Sequence, residues 1–128
     1  MVQDYGYVPK YILQVMGTND SGRTYEYIIE KLEEFISFCS TNNIIPVLTT
    51  IPPINGNISS LFTQVNTWIR NSGQLYADIE KCFIDKDGNV KIDMYLEDEV
   101  HPNIQGHAAI YNTILHDVPQ LFELNNID

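Results

Sequence analysis

The chain has little positive charge. Its 128 residues include 7 lysines and arginines against 17 aspartates and glutamates, which gives a net charge of −10. An acidic surface repels phosphate groups, so nucleic acids and anionic membrane surfaces are poor partners for it. The sequence has no run of 18 apolar residues that could span a membrane, and Met1–Tyr5 lacks the basic and apolar regions of a signal peptide. Taken literally, these absences predict a cytoplasmic protein, while a secreted parent of greater length stays open.

Cysteine is also scarce. The two cysteines, Cys39 and Cys82, have no CxxC or metal-binding spacing. Cys39 falls on the apolar face of a predicted helix, where a cysteine is typically a small core residue. The sequence therefore gives no sign of a disulfide framework or a redox centre.

A metal site is equally unsupported. The turn Asp85–Asn89 has the alternating oxygen ligands of an EF-hand loop, but Val90 stands where that loop needs glycine. The spacing of the three histidines does not fit a zinc site, and we expect two of them, His107 and His116, on the surface of a helix. We expect neither a metal nor any other cofactor.

Apolar residues make up 44% of the chain and charged residues 19%, which is typical of one globular domain. We expect this domain to cover residues 1–128, with a weakly held tail from about residue 122. Continuous apolar segments predict strands at Tyr11–Met16, Ile44–Thr50 and Leu75–Ile79. In the second strand, Pro46 predicts that pairing starts at or after the proline.

Helical spacing of apolar residues predicts the connecting elements. Helices are expected from Thr24 to Asn42, from a cap at Asn57 to Ser72, and from Ile104 to His116, with a short helical turn near residues 80–84. In the last helix we expect four apolar residues to face inward, namely Ala108, Tyr111, Ile114 and Leu115. Alternating strands and helices predict a parallel sheet with helices on its faces.

Two polar loops stand out from this pattern. In the first, Asp98 precedes His101 by three residues, which lets the carboxylate fold back onto the imidazole and hold one tautomer for a general base. Pro102 fixes the backbone after the histidine, and Asn103 suits the cap of the helix that follows. Alternatively, His101 is an ordinary loop histidine with acidic neighbours.

The second loop, Gly17–Asp20, follows the first predicted strand. Open α/β sheets place their sites at the carboxyl ends of strands, so Asn19 can aim its amide at a developing oxyanion. Asp20 can tie down the loop backbone or cap the next helix. The alternative is an ordinary Asn-Asp turn.

Together these loops resemble two sequence blocks of the SGNH (GDSL-type) hydrolase superfamily. Gly17–Asp20 is similar to the family's G-x-N-D block, and Asp98–Asn103 is similar to its D-x-x-H-P-N block. Gly106, the segment Thr49–Pro53 and the Asp85–Asn89 turn also fit, so the resemblance covers essentially the whole chain. It implies an α/β fold of flavodoxin-like type, a three-layer α/β/α arrangement with a short parallel sheet that lacks the family's first strands.

The resemblance also implies roles for individual residues. His101 would be the catalytic base, Asp98 would orient it, and Asn19 would donate to the oxyanion, with Gly17 and Asp20 supporting that loop. The substrate would be a small acyl ester or an acylated carbohydrate.

The nucleophile is the main departure from the family. In the family it is a serine that lies well upstream of the G-x-N-D block, and here the 16 residues before Gly17 contain no serine. Ser21 lies on a site loop but follows the wrong strand, so it is a poor substitute. The chain is thus expected to be either part of an ester hydrolase whose serine is absent from it, or a non-catalytic remnant or assembly fragment of the same scaffold. In both cases the isolated chain is predicted to be inactive.

The missing first strands also predict association. Tyr11–Met16 would be left as an apolar sheet edge, with no charge, proline or glycine to discourage pairing with another chain. We expect a two-fold homodimer, or pairing with a missing N-terminal segment, in place of a stable monomer.

Overall fold

The structure is a computed structural model that describes residues 9–15 and 22–122. It contains a three-stranded sheet in which all neighbouring strands are parallel and the order is β1-β2-β3. The strands are β1 (Tyr11–Gln14), β2 (Ile45–Thr49) and β3 (Leu75–Ala77). The helices are α1 (Tyr25–Thr41), α2 (Ser60–Arg70), α3 (Ile79–Cys82) and α4 (Ile104–Asp117), with 3-10 turns at Ile92–Met94 and Pro119–Phe122. The predicted α/β fold is confirmed.

The sheet separates two apolar clusters, which gives the three layers. On one face, α1 and α2 pack against Leu48 in a cluster that includes Leu32 and Val65. On the other face, Val47 joins a cluster with Phe83 and residues of α4. Successive residues of a strand point to opposite faces, so neighbouring positions of β2 supply both cores. No helix of the described residues is both long and apolar enough to cross a membrane.

Side-chain caps start the three long helices. Thr24 accepts a hydrogen bond from the Tyr27 N–H at 3.1 Å and so begins α1 within one residue of the predicted start. For α2, Ser59 and not the predicted Asn57 is the cap, accepting from the Phe62 N–H at 3.0 Å. Asn57 is instead paired with Ile54 across a tight turn, which takes it out of the helix.

Pairing of β2 begins one residue earlier than its proline predicted. Ile45 pairs with Tyr11, and Pro46 pairs with Ile12. Proline is tolerated because the odd-numbered residues of β2 direct their N–H groups to β1, whereas pairing with β3 starts only at Val47. The nitrogen of Pro46 therefore faces a position before Leu75, the first residue of β3, so the proline removes no hydrogen bond between strands.

Two further expectations are corrected. β3 ends at Ala77, and the predicted last strand residue, Ile79, begins the short helix α3. In α4, only Ile114 of the four apolar residues predicted to face inward is buried; Ala108, Tyr111 and Leu115 are exposed. The side of α4 that meets the sheet is turned about a third of a turn from the predicted one, because Gly106 allows close contact there.

Candidate functional site around Asp98 and His101

The structure brings Asp98 and His101 together as a hydrogen-bonded pair. Asp98 Oδ2 lies 2.6 Å from Nδ1 of His101. The hydrogen bond from His101, followed by those from the Val100 and His101 backbone N–H groups, lowers the pKa of Asp98 to about 2. The carboxylate is therefore ionised at neutral pH, and Nδ1 is the ring nitrogen that carries the proton. In the neutral ring this leaves the lone pair on Nε2, which is the arrangement of a general base.

The loop that carries this pair closes on itself. Asp98 Oδ1 accepts hydrogen bonds from the N–H groups of Val100 at 2.9 Å and His101 at 3.0 Å. Glu99, which lies between Asp98 and Val100, has a left-handed backbone with φ of 58°. The Leu96 N–H donates to the His101 carbonyl at 2.8 Å, which closes the loop at its base. These local bonds fix the relative position of carboxylate and imidazole with few degrees of freedom left.

Two contacts dock this loop beside the carboxyl end of β2. The hydroxyl of buried Tyr95 donates to the Pro53 carbonyl at 2.5 Å, and the Asn55 N–H donates to the Glu99 carbonyl at 2.8 Å. Pro53 and Asn55 belong to the segment that leaves β2. Burial raises the pKa of Tyr95, so its hydroxyl stays protonated and remains a donor. The pair thus lies at the edge of the sheet where α/β proteins carry their sites.

Asn103 joins the loop to α4. Its side-chain oxygen accepts from the Gly106 N–H at 3.0 Å, which confirms the predicted cap. Its amide nitrogen also donates to the carbonyls of Asp93 at 2.8 Å and Tyr95 at 3.2 Å. A Cβ atom on Gly106 would collide with the Met94 carbonyl oxygen and with Pro102. Asn103 and Gly106 therefore hold both ends of the loop against the start of the helix.

The remaining predicted site residues lie outside the described part of the chain. These are Gly17, Asn19 and Asp20, and the same is true of Ser21. Their meeting with His101 stays a prediction. The side chain of His101 is 72% exposed, and Asp98 is its one hydrogen-bond partner among the described residues. The pair consequently lies on the surface of the described part of the chain.

Sequence reasoning missed the residues that dock the loop. Neither Tyr95 nor Asn55 belongs to a motif, and their partners are distant along the chain. The available signal was weak: a buried tyrosine needs a hydrogen-bond partner for its hydroxyl, and the Asn55-Gly56 pair favours a tight turn. Asn55 and Gly56 have the left-handed backbone of such a turn, with φ of 55° and 69°.

The structure has a second polar region at the end of β3. Arg70 binds both oxygens of Asp78, at 3.0 and 2.8 Å, and Glu80 at 2.7 Å, while Thr50 donates to Asp78 at 3.0 Å. Burial raises the pKa of Asp78, but the hydrogen bonds and charge of Arg70 outweigh it, and the net shift is downward. This network joins the ends of β2 and β3 to α2 and is explained by structure alone.

A cavity among the described residues lies away from the Asp98–His101 pair. It measures about 710 Å³ and lies between β3, α3 and α4. Its lining residues are Tyr76, Asp78, Lys81, Cys82, Asn112, Thr113, His116 and Asp117. Within residues 9–15 and 22–122, no group of three or more His, Cys, Asp or Glu side chains is arranged to hold a metal ion. The Asp85–Asn89 segment is a polar turn in which Asp85 Oδ1 accepts from two backbone N–H groups.

Comparison with solved structures places this architecture in the SGNH-like fold. A carbohydrate esterase family 3 protein from Talaromyces cellulolyticus aligns with a TM-score of 0.73 at 24% identity, over 94% of this chain and 61% of that one. A GDSL-like lipase from Bacteroides thetaiotaomicron aligns with a TM-score of 0.70 at 16% identity, over 88% and 63%. At such identities the likeness shows the fold and does not carry over the activity.

A comparison of the sequence with family profiles identifies the family. The profile of the OSK domain matches residues 5–115, and the chain belongs to the OSK domain family. The C-terminal domain of the Drosophila Oskar protein aligns with a TM-score of 0.75 at 20% identity, covering 85% of this chain. The chain spans about 61% of the length of that domain. A search of curated protein sequences found no match.

Proposed function

We propose that this chain supplies the acid–base part of an acyl-ester hydrolase site. His101 is the general base and Asp98 orients its ring. The observation that supports this is the 2.6 Å contact between Asp98 Oδ2 and His101 Nδ1, which orients the ring and leaves its other nitrogen, Nε2, without a hydrogen bond to any described residue. Two backbone N–H groups bind the other oxygen of Asp98, so the carboxylate that orients the ring is itself held in place.

The reaction also needs a nucleophile, and none of the described residues provides one bonded to His101. In the proposal, a serine hydroxyl from a preceding segment attacks the acyl carbonyl while Nε2 of His101 takes the hydroxyl proton. The tetrahedral intermediate then expels the alcohol, which leaves with that proton. Water, deprotonated by the same nitrogen, releases the acid and restores the serine. The substrate class is a small acyl ester or an acylated carbohydrate.

In this proposal, the side-chain amide of Asn19 donates a hydrogen bond to the oxyanion. β1 pairs in parallel with β2 up to Gln14–Leu48, so the carboxyl end of β1 lies beside that of β2, near which Tyr95 and Asn55 dock the loop. An amide N–H in that position would bind the negative charge that develops on the carbonyl oxygen. Gly17 and Asp20 would shape the loop that presents it.

A second candidate is a non-catalytic member of the same fold. Membership of the OSK domain family favours it, as does the lack, among the described residues, of a serine or cysteine side chain bonded to His101. In this case the Asp98–His101 pair would stiffen the loop before α4 without taking part in chemistry.

Reading the genomic DNA upstream of Met1 distinguishes the two candidates. We expect an open frame that encodes a strand followed by Gly-Asp-Ser, and we expect the longer polypeptide to hydrolyse a short-chain nitrophenyl ester. The 128-residue chain alone should not exceed its own His101→Ala variant in that assay. If no such frame exists, or the longer polypeptide keeps its full rate with His101→Ala, the hydrolase proposal is wrong.

A further inference from the structure

The segment that joins β2 to α2 contains the one Asn-Gly pair of the sequence, Asn55-Gly56. In such a pair, the backbone nitrogen of the glycine can attack the side-chain carbonyl carbon of the asparagine and displace ammonia. Glycine favours this step over other residues, because it has no Cβ atom to crowd its nitrogen. The pair is therefore a candidate site for covalent modification of the chain.

The structure leaves the reacting groups of this turn free. Asn55 is exposed, and among the described residues neither its side-chain amide nor the Gly56 N–H has a hydrogen-bond partner. The turn itself is closed by the bond from the Asn57 N–H to the Ile54 carbonyl at 3.0 Å. The attack therefore displaces no hydrogen-bond partner of either reacting group.

Asn57 makes a contact that favours the attack. Its side-chain Nδ2 donates to the Asn55 carbonyl oxygen at 3.2 Å, and this carbonyl belongs to the same peptide group as the Gly56 nitrogen. The attacking species is that nitrogen after it has lost its proton to hydroxide, with the negative charge shared by the carbonyl oxygen. A hydrogen bond to the oxygen stabilises this charge, so it raises the fraction of the reactive form.

We propose that Asn55 is a self-modification site, at which the folded turn converts asparagine into aspartate and isoaspartate. A bond forms between the Gly56 nitrogen and Cγ of Asn55, and ammonia leaves after taking a proton from water, which gives a cyclic imide. Water then opens the ring. Cleavage of the new bond gives aspartate, and cleavage of the original peptide bond gives isoaspartate, in which the backbone runs through Cβ and Cγ. The proposal does not depend on the hydrolase activity.

The modification acts on the contact that docks the Asp98–His101 loop. The Asn55 N–H donates to the Glu99 carbonyl at 2.8 Å, and Oε1 of Glu99 lies 3.3 Å from the position that a Cβ atom on Gly56 would take. Either product places a new negative charge at residue 55, near this carboxylate, and like charges repel. Isoaspartate also lengthens the backbone of the turn. Both changes weaken the docking of the loop.

Peptide mapping by mass spectrometry tests the proposal on the purified 128-residue chain, incubated in the folded state at neutral and at mildly alkaline pH. We expect residue 55 to lose its amide before Asn71, which precedes a serine, and before every other asparagine. The loss should be faster at the higher pH, because the attacking nitrogen must be deprotonated. If residue 55 keeps its amide in the folded chain while a urea-unfolded sample loses it, the fold protects the turn and the proposal is wrong.

Asn57→Ala tests the assisting hydrogen bond. This variant should lose the amide of residue 55 roughly two- to tenfold more slowly than the wild type, because one hydrogen bond to the developing charge is removed. Asn112→Ala is the matched control, since Asn112 is also exposed but lies on α4, away from the turn. It should leave the rate unchanged. Circular dichroism establishes that both variants are folded. A rate in Asn57→Ala equal to that of the wild type would contradict the role given to Asn57.

Hydrogen exchange measures the effect on the loop. In the converted chain, the backbone amide of residue 55 should exchange faster than in the fresh wild type, because its bond to the Glu99 carbonyl is weakened. Asn55→Gln is the control: glutamine keeps the backbone donor, but its longer side chain forms the corresponding ring far more slowly. Its exchange should stay constant through the same incubation. Unchanged exchange in the converted chain would overturn the proposed loss of docking.

Discussion

Among the residues that the structure describes, two histidine–aspartate pairs look alike by distance. In one, His101 Nδ1 lies 2.6 Å from Asp98 Oδ2; in the other, His116 Nδ1 lies 2.8 Å from Asp117 Oδ1. The two differ in what holds the carboxylate. Asp98 uses its second oxygen to bind the backbone of the loop that carries the histidine, while Asp117 uses its second oxygen to accept the Asp78 N–H at 2.8 Å.

Because of that difference, His101 is held together with its carboxylate on one loop, whereas His116 only lies beside its carboxylate. The Asp98 loop is itself docked on Pro53 and Asn55, so imidazole and carboxylate share one scaffold. Asp117 instead ties the end of α4 to the end of β3, and the adjacent His116 has a side chain that is 87% exposed. A short His–Asp distance alone therefore does not separate the two pairs, whereas the bonds that hold the carboxylate do.

The largest expected difference between the pairs is in turnover. In a longer polypeptide that contains the serine, His101→Ala should lower the rate of nitrophenyl ester hydrolysis roughly 10²–10⁴-fold, because the proton relay is lost. His116→Ala should leave the rate unchanged, since that ring faces the solvent on a helix end. Equal losses in the two variants would show that the pairs are not functionally distinct.

Asn19 tests whether the first pair works together with an oxyanion donor. Asn19→Ala in the same longer polypeptide should lower kcat by roughly 10²–10³-fold, because one donor to the developing negative charge is removed. KM should change little. Asn112→Ala, beside His116, serves as the comparison and should leave kcat as it is. Wild-type kcat in the Asn19 variant would take that residue out of the mechanism.

The loop that carries the Asp98–His101 pair can be destabilised through Gly106, at the start of the helix that follows it. Gly106→Ala should lower the free energy of unfolding by about 1–3 kcal/mol, because the added methyl group has no room beside the Met94 carbonyl and Pro102. Gly22→Ala is the control, since no described residue beyond its immediate chain neighbours lies within 4 Å of the position its Cβ would take. Urea titration of the isolated chain measures both. Equal urea midpoints for Gly106→Ala and Gly22→Ala would mean that the start of α4 shifts to accommodate the methyl group at little cost in free energy.

The ionisation of Asp98 reports the pair directly. His101→Ala should raise the pKa of Asp98 from about 2 part of the way to its ordinary value of 3.8, because the largest contribution is lost and the two backbone hydrogen bonds remain. His116→Ala should leave this pKa where it is. Carbon-13 NMR of the carboxyl group gives the values. An unchanged Asp98 pKa in His101→Ala would mean that the backbone groups alone hold it down.

The smallest expected effect is on stability at low pH. The pKa of Asp98 is lower in the folded chain than in the unfolded one, so its ionised form favours folding. This contribution is present above pH 3.8 and is lost as the pH falls toward 2. The urea midpoint of the wild type should therefore approach that of Asp98→Asn across this interval. If the two midpoints keep a constant separation there, the pair does not contribute to stability.

Much of the fold could be predicted because it depends on short-range patterns. The pattern of apolar residues located all three strands of the described sheet and the start of α1 near Thr24, and the cap at Asn103 followed from side-chain chemistry. The pairing of Asp98 with His101 also joins residues only three positions apart, with a proline that fixes the turn. The errors at Asn57 and Ile79 are of one or two residues, at element ends where turn and helix compete.

What could not be predicted depends on neighbours far along the chain. Tyr95 and Pro53 are 42 residues apart, and no local period records their contact. The same holds for the bond between Asn55 and Glu99.

The amino-acid sequence by itself determined the alternation of strands and helices, the closed Asp98–His101 turn and the acidic character of the chain. Each depends on interactions within a few residues, where backbone geometry leaves few alternatives. Only the tertiary structure decided that this turn docks beside β2, and that α4 buries Gly106 and Ile114 while it exposes Tyr111 and Leu115. A helix with apolar residues on two flanks can bury either one, and the closer approach allowed at a glycine made the choice.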